Sequence, residues 1–354
     1  MTTLIRQTRA ISSMISSTIS STVSSTIGST ISFVVCLIVV YTTGLAPAAA
    51  QVRGTTPEKA ATTAAQDPAD VQRRINATGR RGFLFEAVRG QRKVFLYGTV
   101  IASKEEYFPL NPPVMQALAQ ATRLLTEKDP SNPQDDSRSA LTIGALAQGD
   151  KIDRYLSPDA MSSLNEVADG LGLSRARLHQ FKPWLAAAVV EQEYVVRRGY
   201  QPGQSPMLYF VGYARSRKLP IGELEGATAQ FKLLDAAPMS IQADQLAQAL
   251  RGIVTGQVLK KLDLLIDNGW ANGNVAAVAQ SIAVDQSTPG PWIDFYAKNW
   301  LAGRSQRFAA TIEADLANEG TPFIAIESVS LLGNTGVAAE LVKRGFVLRD
   351  LQAP

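Results

Sequence analysis

The distribution of apolar residues along the chain predicts a small β-sheet within a largely helical protein. Residues 82–99, GFLFEAVRGQRKVFLYGT, contain two aromatic-rich runs on either side of Arg89-Gly90-Gln91-Arg92, which is typical of a β-hairpin. Shorter apolar runs predict further strands near 123–128, 219–222, 323–327 and 346–351. Because helical patterns separate these strands, the predicted fold class is α+β, with a small mixed β-sheet and a large set of helices.

The longer middle part of the chain has the periodicity of helices. One apolar helix begins at Pro183 and ends at Gly199, and Ser157 and Ser174 are predicted N-caps. Further helices are predicted over 112–121, 206–218, 227–236, 241–254, 257–268 and 304–318. Since no clear internal boundary interrupts this pattern, residues 75–354 are expected to form a single domain.

The first fifty residues are typical of an export signal. They contain a Ser/Thr-rich repeat, an apolar run over residues 31–41 and the small residues Ala48-Ala49-Ala50. This order predicts a signal peptide over residues 1–50, with cleavage before Gln51 and a periplasmic or secreted location. An uncleaved anchor is the alternative, although the apolar run is shorter than the ~20 residues that a helical span needs. Met14 is an alternative start.

Composition adds little support for other classes of function. Residues 51–74 are rich in Ala, Thr, Gln and Pro and are expected to form a flexible linker. The formal charge is +4, and Arg6 and Arg9 are the charged residues of the first fifty, which leaves +2 (4 − 2) for the remainder. That balance does not indicate nucleic-acid binding. The single cysteine, Cys36, lies in the apolar run, so a cleaved chain has no thiol for a disulfide or a metal.

Carboxylates at predicted strand ends are the main candidates for chemistry. The sequence has no P-loop, dinucleotide glycine fingerprint, HExxH or CxxC motif. Its one histidine, His179, is interpreted as a polar residue on a helix flank rather than a catalytic base. Glu127 and Asp129 follow one predicted strand, Glu225 follows the next, and Glu327 ends a third. Such acids can converge on one cleft and bind a hard divalent ion, or remain solvated loop residues.

Several segments follow one another in the order found in a known protein family. They are GFLFEAVRGQRKVFLYGTV, LNPPVMQALAQATRLLTEKDP, KPWLAAAVV, KLPIGELEGATAQFKLLDAAP, GRSQRFAATIEADL and FIAIESVSLLGNTGVAAELVKRGFVLRDL. Together they resemble the TraB/GumN family, whose animal relatives are the Tiki membrane metalloproteases. The resemblance implies a site with two Gly-x-x-His motifs, which in complete members are thought to bind a divalent metal for peptide hydrolysis.

Both motifs are degenerate in this chain. The first aligns with Gly98–Ile101, where the glycine is kept and isoleucine replaces histidine. The second aligns with Glu327–Ser330, where both the glycine and the histidine are replaced. Isoleucine cannot bind a metal, and serine is a poor ligand for a transition ion compared with imidazole. The expected cleft residues are Glu127, Asp129, Glu225, Gln230 and Arg304.

We therefore expect an exported TraB/GumN-like protein that lacks the metal-dependent peptidase activity. It would bind a peptide or an envelope component in the retained cleft, without metal or cofactor and without nucleic acid, and would contact the membrane only through an uncleaved leader. The first alternative is an active hydrolase that holds a divalent metal ion with Glu127, Glu225 and Glu327, or that uses Ser330 in a changed mechanism. The second alternative is a structural envelope protein whose cleft is closed. Whether the protein is an enzyme stays open at this point.

Overall fold

A computed structural model of the protein describes residues 81–130, 133–286 and 289–352. The predicted signal peptide, its cleavage site, Cys36, the alternative start and the linker all lie outside these residues, and so does the beginning of the predicted domain. Over the three described ranges, no helix combines the length and the apolar character needed to cross a membrane.

A mixed β-sheet organises the described residues. Its strands are β1 (Phe83–Arg89), β2 (Arg92–Thr99), β3 (Arg123–Thr126), β4 (Ile221–Glu223), β5 (Pro322–Glu327) and β6 (Val347–Asp350). The predicted hairpin is confirmed: β1 and β2 are antiparallel, and Gly90 adopts a φ of +61° in the turn between them. The other predicted strands are confirmed with small shifts at their ends. The strand predicted over 123–128 ends at Thr126, so Glu127 and Lys128 lie beyond it.

The order of the strands brings distant segments of the chain together. Across the sheet the order is β4-β3-β5-β2-β1-β6. The pairs β2–β5, β5–β3 and β3–β4 are all parallel. The carboxyl ends of β2, β5, β3 and β4 therefore lie along one edge, which we call the carboxyl edge. Thr99 pairs with Glu327 there, and Thr126 pairs with both Ala325 and Glu223.

The two central strands are buried because their sequences are almost continuously apolar. Every residue of β5 is buried, and β2 is buried from Val94 to Thr99. Such runs are typical of interior strands that are covered on both faces. One face packs through Tyr97, Phe210 and Phe323, whose ring centroids lie 4.9–6.0 Å apart.

Helices make up most of the remaining structure. They are α1 (Pro112–Gln120), α2 (Pro133–Gly144), α3 (Pro158–Gly170), α4 (Arg175–Leu178), α5 (Pro183–Val196), α6 (Pro206–Ser216), α7 (Ala227–Asp235), α8 (Met239–Thr255), α9 (Gln257–Leu262), α10 (Val275–Gln286), α11 (Pro291–Phe295), α12 (Arg304–Asp315), α13 (Ser328–Leu331) and α14 (Val337–Lys343). Both predicted N-caps are confirmed, since the Ser157 and Ser174 hydroxyls accept hydrogen bonds from the Ala160 and Arg177 amides.

Two helices change their hydrogen-bond pattern part-way along. A π-helical segment, Asp263–Asp267, continues α9, and a second one, Tyr296–Gly303, joins α11 to α12. The helix predicted over residues 257–268 is therefore only partly α-helical. π-Helical turns are rare, and they occur frequently at functional sites.

A second cluster of buried residues lies among the helices. It is centred on α5, which is buried throughout residues 183–190 and contains the fully buried Trp184. The Trp184 indole donates a hydrogen bond of 3.0 Å to Asp235. Val258 and Leu259 of α9 pack against both this cluster and the sheet core. The helical layer and the sheet are thus joined near α9.

Candidate functional site

The carboxyl edge brings acids from separate parts of the chain to one buried arginine. Arg304, the first residue of α12, is fully buried. Its Nε donates a hydrogen bond of 2.8 Å to Glu225, and its Nη2 donates one of 2.8 Å to Glu127. We call Glu127, Glu225 and Arg304 the arginine cluster. Because one guanidinium compensates two carboxylates that are themselves largely buried, the charges can remain away from water.

Aromatic rings hold the Arg304 guanidinium in place. Its central carbon lies 4.3 Å from the ring centroid of Trp300 and 4.9 Å from that of Phe308. Contacts of this kind attract the cation to the ring face. Arg307, whose side chain is half exposed, also reaches Glu225 at 3.3 Å. The guanidinium is therefore fixed by rings as well as by carboxylates.

Glu127 ties the ends of three strands together. Its second oxygen accepts a hydrogen bond of 2.8 Å from the Glu327 amide at the end of β5. Its own carbonyl accepts hydrogen bonds from the Glu225 and Gly226 amides, at 3.1 and 2.9 Å. Gly226 has a φ of +88°, a conformation that favours glycine. Glu127 is thus a structural centre of the carboxyl edge.

Glu327 differs from its neighbours in the arginine cluster. Its residue is 8% exposed, and its Oε1 has no hydrogen-bond partner among the described residues. Burial and the nearby Glu127 raise the pKa of Glu327 to about 8, against the opposing effects of Arg304, Lys128 and Lys261. This shift favours the protonated form of the side chain, which can both donate and accept a hydrogen bond.

The two degenerate motifs lie side by side, at the carboxyl ends of the adjacent strands β2 and β5. Because Thr99 pairs with Glu327, residues 98–101 and 327–330 are neighbours, and the Ser328 hydroxyl donates a hydrogen bond of 2.8 Å to the Thr99 carbonyl. A Cβ at Gly98 would lie 2.9 Å from the Ser328 hydroxyl oxygen and 3.0 Å from the Phe83 ring. Close packing therefore requires glycine at position 98, whether or not a metal ligand follows it.

The side chains at the two histidine positions have different surroundings. Ile101 lies on the wall of a cavity beside the carboxyl edge. Ser330 is fully buried, and its carbonyl accepts a hydrogen bond of 3.2 Å from Ser305, but it does not line that cavity. The Ser330 hydroxyl has no partner among the described residues. The motif segments converge, while these two side chains do not face the same space.

The cavity has a volume of about 260 Å³, and we call it the strand-end cavity. Its sheet side consists of Thr99–Ile101 and Glu327–Val329. Its other walls come from α5, α7, α8, α9, α11 and the two π-helical segments, and its large apolar side chains include Leu262, Leu265, Ile266, Trp292, Tyr296 and Trp300. Arg251 and Gln257 on its rim are exposed, so the cavity reaches the protein surface.

The remaining residues singled out by sequence lie elsewhere. Asp129 points to the surface and forms an ion pair of 3.2 Å with Arg215, so it does not join the arginine cluster. Gln230 is 1% exposed and does not line the cavity, and its side-chain amide has no partner among the described residues. His179 interacts through Nε2 with Asn165 at 2.9 Å, and burial lowers its pKa. This geometry agrees with the interpretation of His179 as a polar residue on a helix flank.

Sequence reasoning missed one buried lysine and the aromatic wall of the cavity, which consists of Trp292, Tyr296 and Trp300. Four aromatic residues and one arginine recur at every fourth position, as Trp292, Tyr296, Trp300, Arg304 and Phe308. This spacing could have indicated a shared surface, because residues four apart lie on one helix face. Lys128 follows Glu127 directly, and it is 2% exposed. It forms an ion pair with Asp136 and lies over the Phe231 ring. No pattern in the sequence separates this buried lysine from an exposed one.

The residues at the carboxyl edge do not fit a divalent metal ion. Ile101 offers no ligand atom, and two of the three acids there, Glu127 and Glu225, already bind the Arg304 guanidinium. A divalent cation between those acids would face a fixed positive charge. Over the described ranges, no three or more His, Cys, Asp and Glu side chains are grouped in a way that could hold a metal.

Comparisons with known proteins bear on the predicted family. Neither the curated proteins nor the solved structures include a match to this chain. The model of the family described as TraB/PrgY/gumN matches residues 83–349, which contain both degenerate motifs and the whole arginine cluster. Since the match covers well over half of the sequence and follows the family suspected from its motifs, the chain belongs to the TraB/PrgY/gumN family.

Proposed function

We propose that this family member is exported and acts by binding a ligand at the carboxyl edge, without metal-dependent peptide hydrolysis. The main support for the proposal is the difference between the two sides of Glu327, one of which is occupied by ion pairs and the other by a cavity. On one side, both Glu127 and Glu225 are tied to Arg304. On the other side, the strand-end cavity contacts the motif position Ile101. The ligand would be a peptide or another component of the cell envelope.

The side chains available for hydrolysis favour the loss of that activity. Glu327 is the one acid of the three that lines the cavity, and its raised pKa favours the protonated form, which cannot accept a proton as a general base. His179 interacts with Asn165 and does not line the cavity. Ser330 is buried away from the cavity, so it is poorly placed as a nucleophile. The alternative of a carboxylate-only metal site has no support in this geometry.

The size of the cavity favours binding over a closed, purely structural role. Its volume of about 260 Å³ exceeds the ~150 Å³ of an engineered apolar cavity that binds benzene. A cleft that had been retained only as packing would be expected to fill with side chains, since protein interiors are close-packed. The cavity therefore supports a ligand-binding function.

Metal titration tests the loss of the metal site. The wild-type protein is expected to show no stoichiometric binding of Zn²⁺ or Mn²⁺ by calorimetry. The double variant Ile101→His with Ser330→His is expected to bind Zn²⁺ no more tightly than Ile101→His alone, because Ser330 is buried away from the cavity that Ile101 lines. Stoichiometric binding by the wild type that is lost in Glu327→Gln would overturn the proposal. A clear gain of the double variant over Ile101→His would contradict this placement of Ser330 and mean that the two positions can share an ion.

Export rests on the sequence alone and has its own test. The mature protein is expected to begin at Gln51, because the apolar run is followed by Ala48-Ala49-Ala50. Intact mass of the protein recovered from the cell envelope would measure this. A species that retains residues 31–41 would indicate an anchored protein instead.

A further inference from the structure

Three residues that line the strand-end cavity carry buried polar atoms that the described residues leave unpaired. Glu327 Oε1, Thr99 Oγ1 and Gln245 Oε1 belong to residues that line it, and each lacks a hydrogen-bond partner in the part of the chain that the structure describes. Thr99 is 1% exposed and Glu327 is 8% exposed. Buried polar side-chain atoms are nearly always paired in native proteins. Among the described residues these atoms are left without partners, which is consistent with a partner supplied by a ligand.

The opposite wall of the cavity suits an apolar group. Ile101, Leu262 and Ile266 supply aliphatic surface. Trp292, Tyr296 and Trp300 supply aromatic surface, and the first two rings pack with their centroids 5.8 Å apart. Scaled from a benzene-binding cavity of ~150 Å³, a volume of about 260 Å³ accommodates roughly ten non-hydrogen atoms. One ring with a short polar tail is a ligand of this size.

Both π-helical segments contribute to the same cavity. Leu265 and Ile266 come from the first segment, and Tyr296 and Trp300 come from the second. Two rare backbone irregularities on one cavity wall are an independent indication of a functional site, because such turns concentrate at these sites. This indication does not depend on the family resemblance.

The charges around the cavity argue against a charged ligand. Besides Glu327, the charged lining residues are Glu191 on α5, Arg251 on α8 and Lys261 on α9. Glu127 and Lys128 beyond β3, together with Arg304 on α12, also act on Glu327. Both signs are present, so no single-sign field favours a cation or an anion. Burying a charged head group without a dedicated partner is costly.

A neutral amide matches the unpaired atoms. A protonated carboxyl group offers one donor and one acceptor, and an amide offers the complementary acceptor and donor. We infer that the strand-end cavity binds a small uncharged ligand with an apolar body and an amide head that hydrogen-bonds to Glu327 and Thr99. This inference rests on the proposed binding function and names its ligand class. The ligand body lies against the aromatic wall.

Three probes with the same body test the ligand class. They are 3-phenylpropanamide, 3-phenylpropanoate and 3-phenylpropylamine, each titrated into the full-length protein by calorimetry or ligand-observed NMR. The amide is expected to bind about ten-fold more tightly than either charged probe, because each charged probe leaves a buried polar atom unpaired. Ala249→Leu fills the cavity wall and is expected to abolish binding. The matched control Ala310→Leu, on the exposed face of α12, is expected to leave binding unchanged.

The pH profile separates Glu327 from a merely structural role. Amide affinity is expected to fall as Glu327 loses its proton between about pH 7 and about pH 9. Glu327→Gln keeps a donor and an acceptor at every pH, so it is expected to retain binding at about pH 9. Tightest binding of the amine or of the carboxylate would overturn the amide class while leaving a binding function intact. If no probe binds, this inference is wrong, while the proposed loss of the metal site is still tested separately by the metal titration.

Discussion

The arginine cluster and the strand-end cavity are neighbours at one edge of the sheet, yet their buried polar atoms differ in kind. In the cluster, both oxygens of Glu127 are hydrogen-bonded, and Arg304 binds two acids between two aromatic rings. In the cavity, buried oxygens of Glu327 and Thr99 have no partner among the described residues. One edge of the sheet thus combines an ionic centre whose polar atoms are paired, which stabilises the fold, with a cavity wall whose unpaired oxygens suit a ligand.

Removing the central cation is expected to have the largest effect. Arg304→Met leaves Glu127 and Glu225 buried without their shared partner, and breaking a buried ion pair from one side costs about 3–5 kcal/mol of unfolding free energy. Urea unfolding of the variant and the wild type measures this loss. Arg307→Met is the matched control, because Arg307 contacts the same Glu225 from a half-exposed position. Its expected cost is about 1 kcal/mol or less, and equal losses in the two variants would contradict the central role of Arg304.

The next effect is a change in how stability depends on pH. Glu327 has a folded pKa of about 8, raised from 4.5, so the folded state holds an extra proton between these values. Wild-type stability is therefore expected to fall as pH rises from about 4.5 to about 8 through this group. Glu327→Gln removes the titration, so the variant should gain stability relative to the wild type across that window. Melting temperatures of both proteins across the window test this, and parallel profiles would show that Glu327 titrates normally.

Filling the cavity is expected to raise the free energy of unfolding, whereas Arg304→Met lowers it. Ala249 lines the strand-end cavity and is 6% exposed, so Ala249→Leu places added methyl groups in existing space. Cavity-filling changes commonly stabilise a protein by about 0.5–2 kcal/mol. Thermal unfolding beside the Ala310→Leu control measures this change. A loss of about 1–3 kcal/mol instead would indicate overpacking, and hence less free space than the cavity volume indicates.

The smallest effect is expected two residues from Glu127. Asp129 forms its ion pair with Arg215 at the surface, where the two side chains are 32% and 55% exposed. Asp129→Asn is expected to change the unfolding free energy by less than about 1 kcal/mol, since exposed ion pairs contribute little. Urea unfolding at low and high salt would show the loss. A cost similar to that of Arg304→Met would place Asp129 functionally within the arginine cluster.

Those parts of the fold that depend on residues close together in the sequence could be predicted. The hairpin around Gly90 and the caps at Ser157 and Ser174 depend on residues a few positions apart, and all three are confirmed. The position of β5 between β2 and β3 could not be predicted, because it depends on pairing between distant segments. The π-helical segments escaped prediction as well, since a helix-period pattern does not mark where the hydrogen-bond ladder changes.

The site was predictable as a set of residues but not as a set of contacts. Resemblance indicated Glu127, Glu225 and Arg304, and the structure brings them together. It did not indicate that Arg304 would bind both acids, because ion pairing depends on side-chain direction. Asp129 had the same sequence context as Glu127, and its side chain points the other way. The cavity could not be predicted, because its walls come from both the sheet and the helical layer.

The central position of β5 also bears on the order of events during synthesis. This strand alone joins the β1–β2 hairpin to the β3–β4 pair, although it lies near the end of the sequence. Until about residue 327 has left the ribosome, the facing edges of β2 and β3 have no partner strand, and unpaired edges are prone to aggregation. If the chain is exported as proposed, late closure of the sheet would keep the nascent protein unfolded during translocation. A C-terminal truncation before β5 would then separate the sheet into two pieces and remove the carboxyl edge altogether.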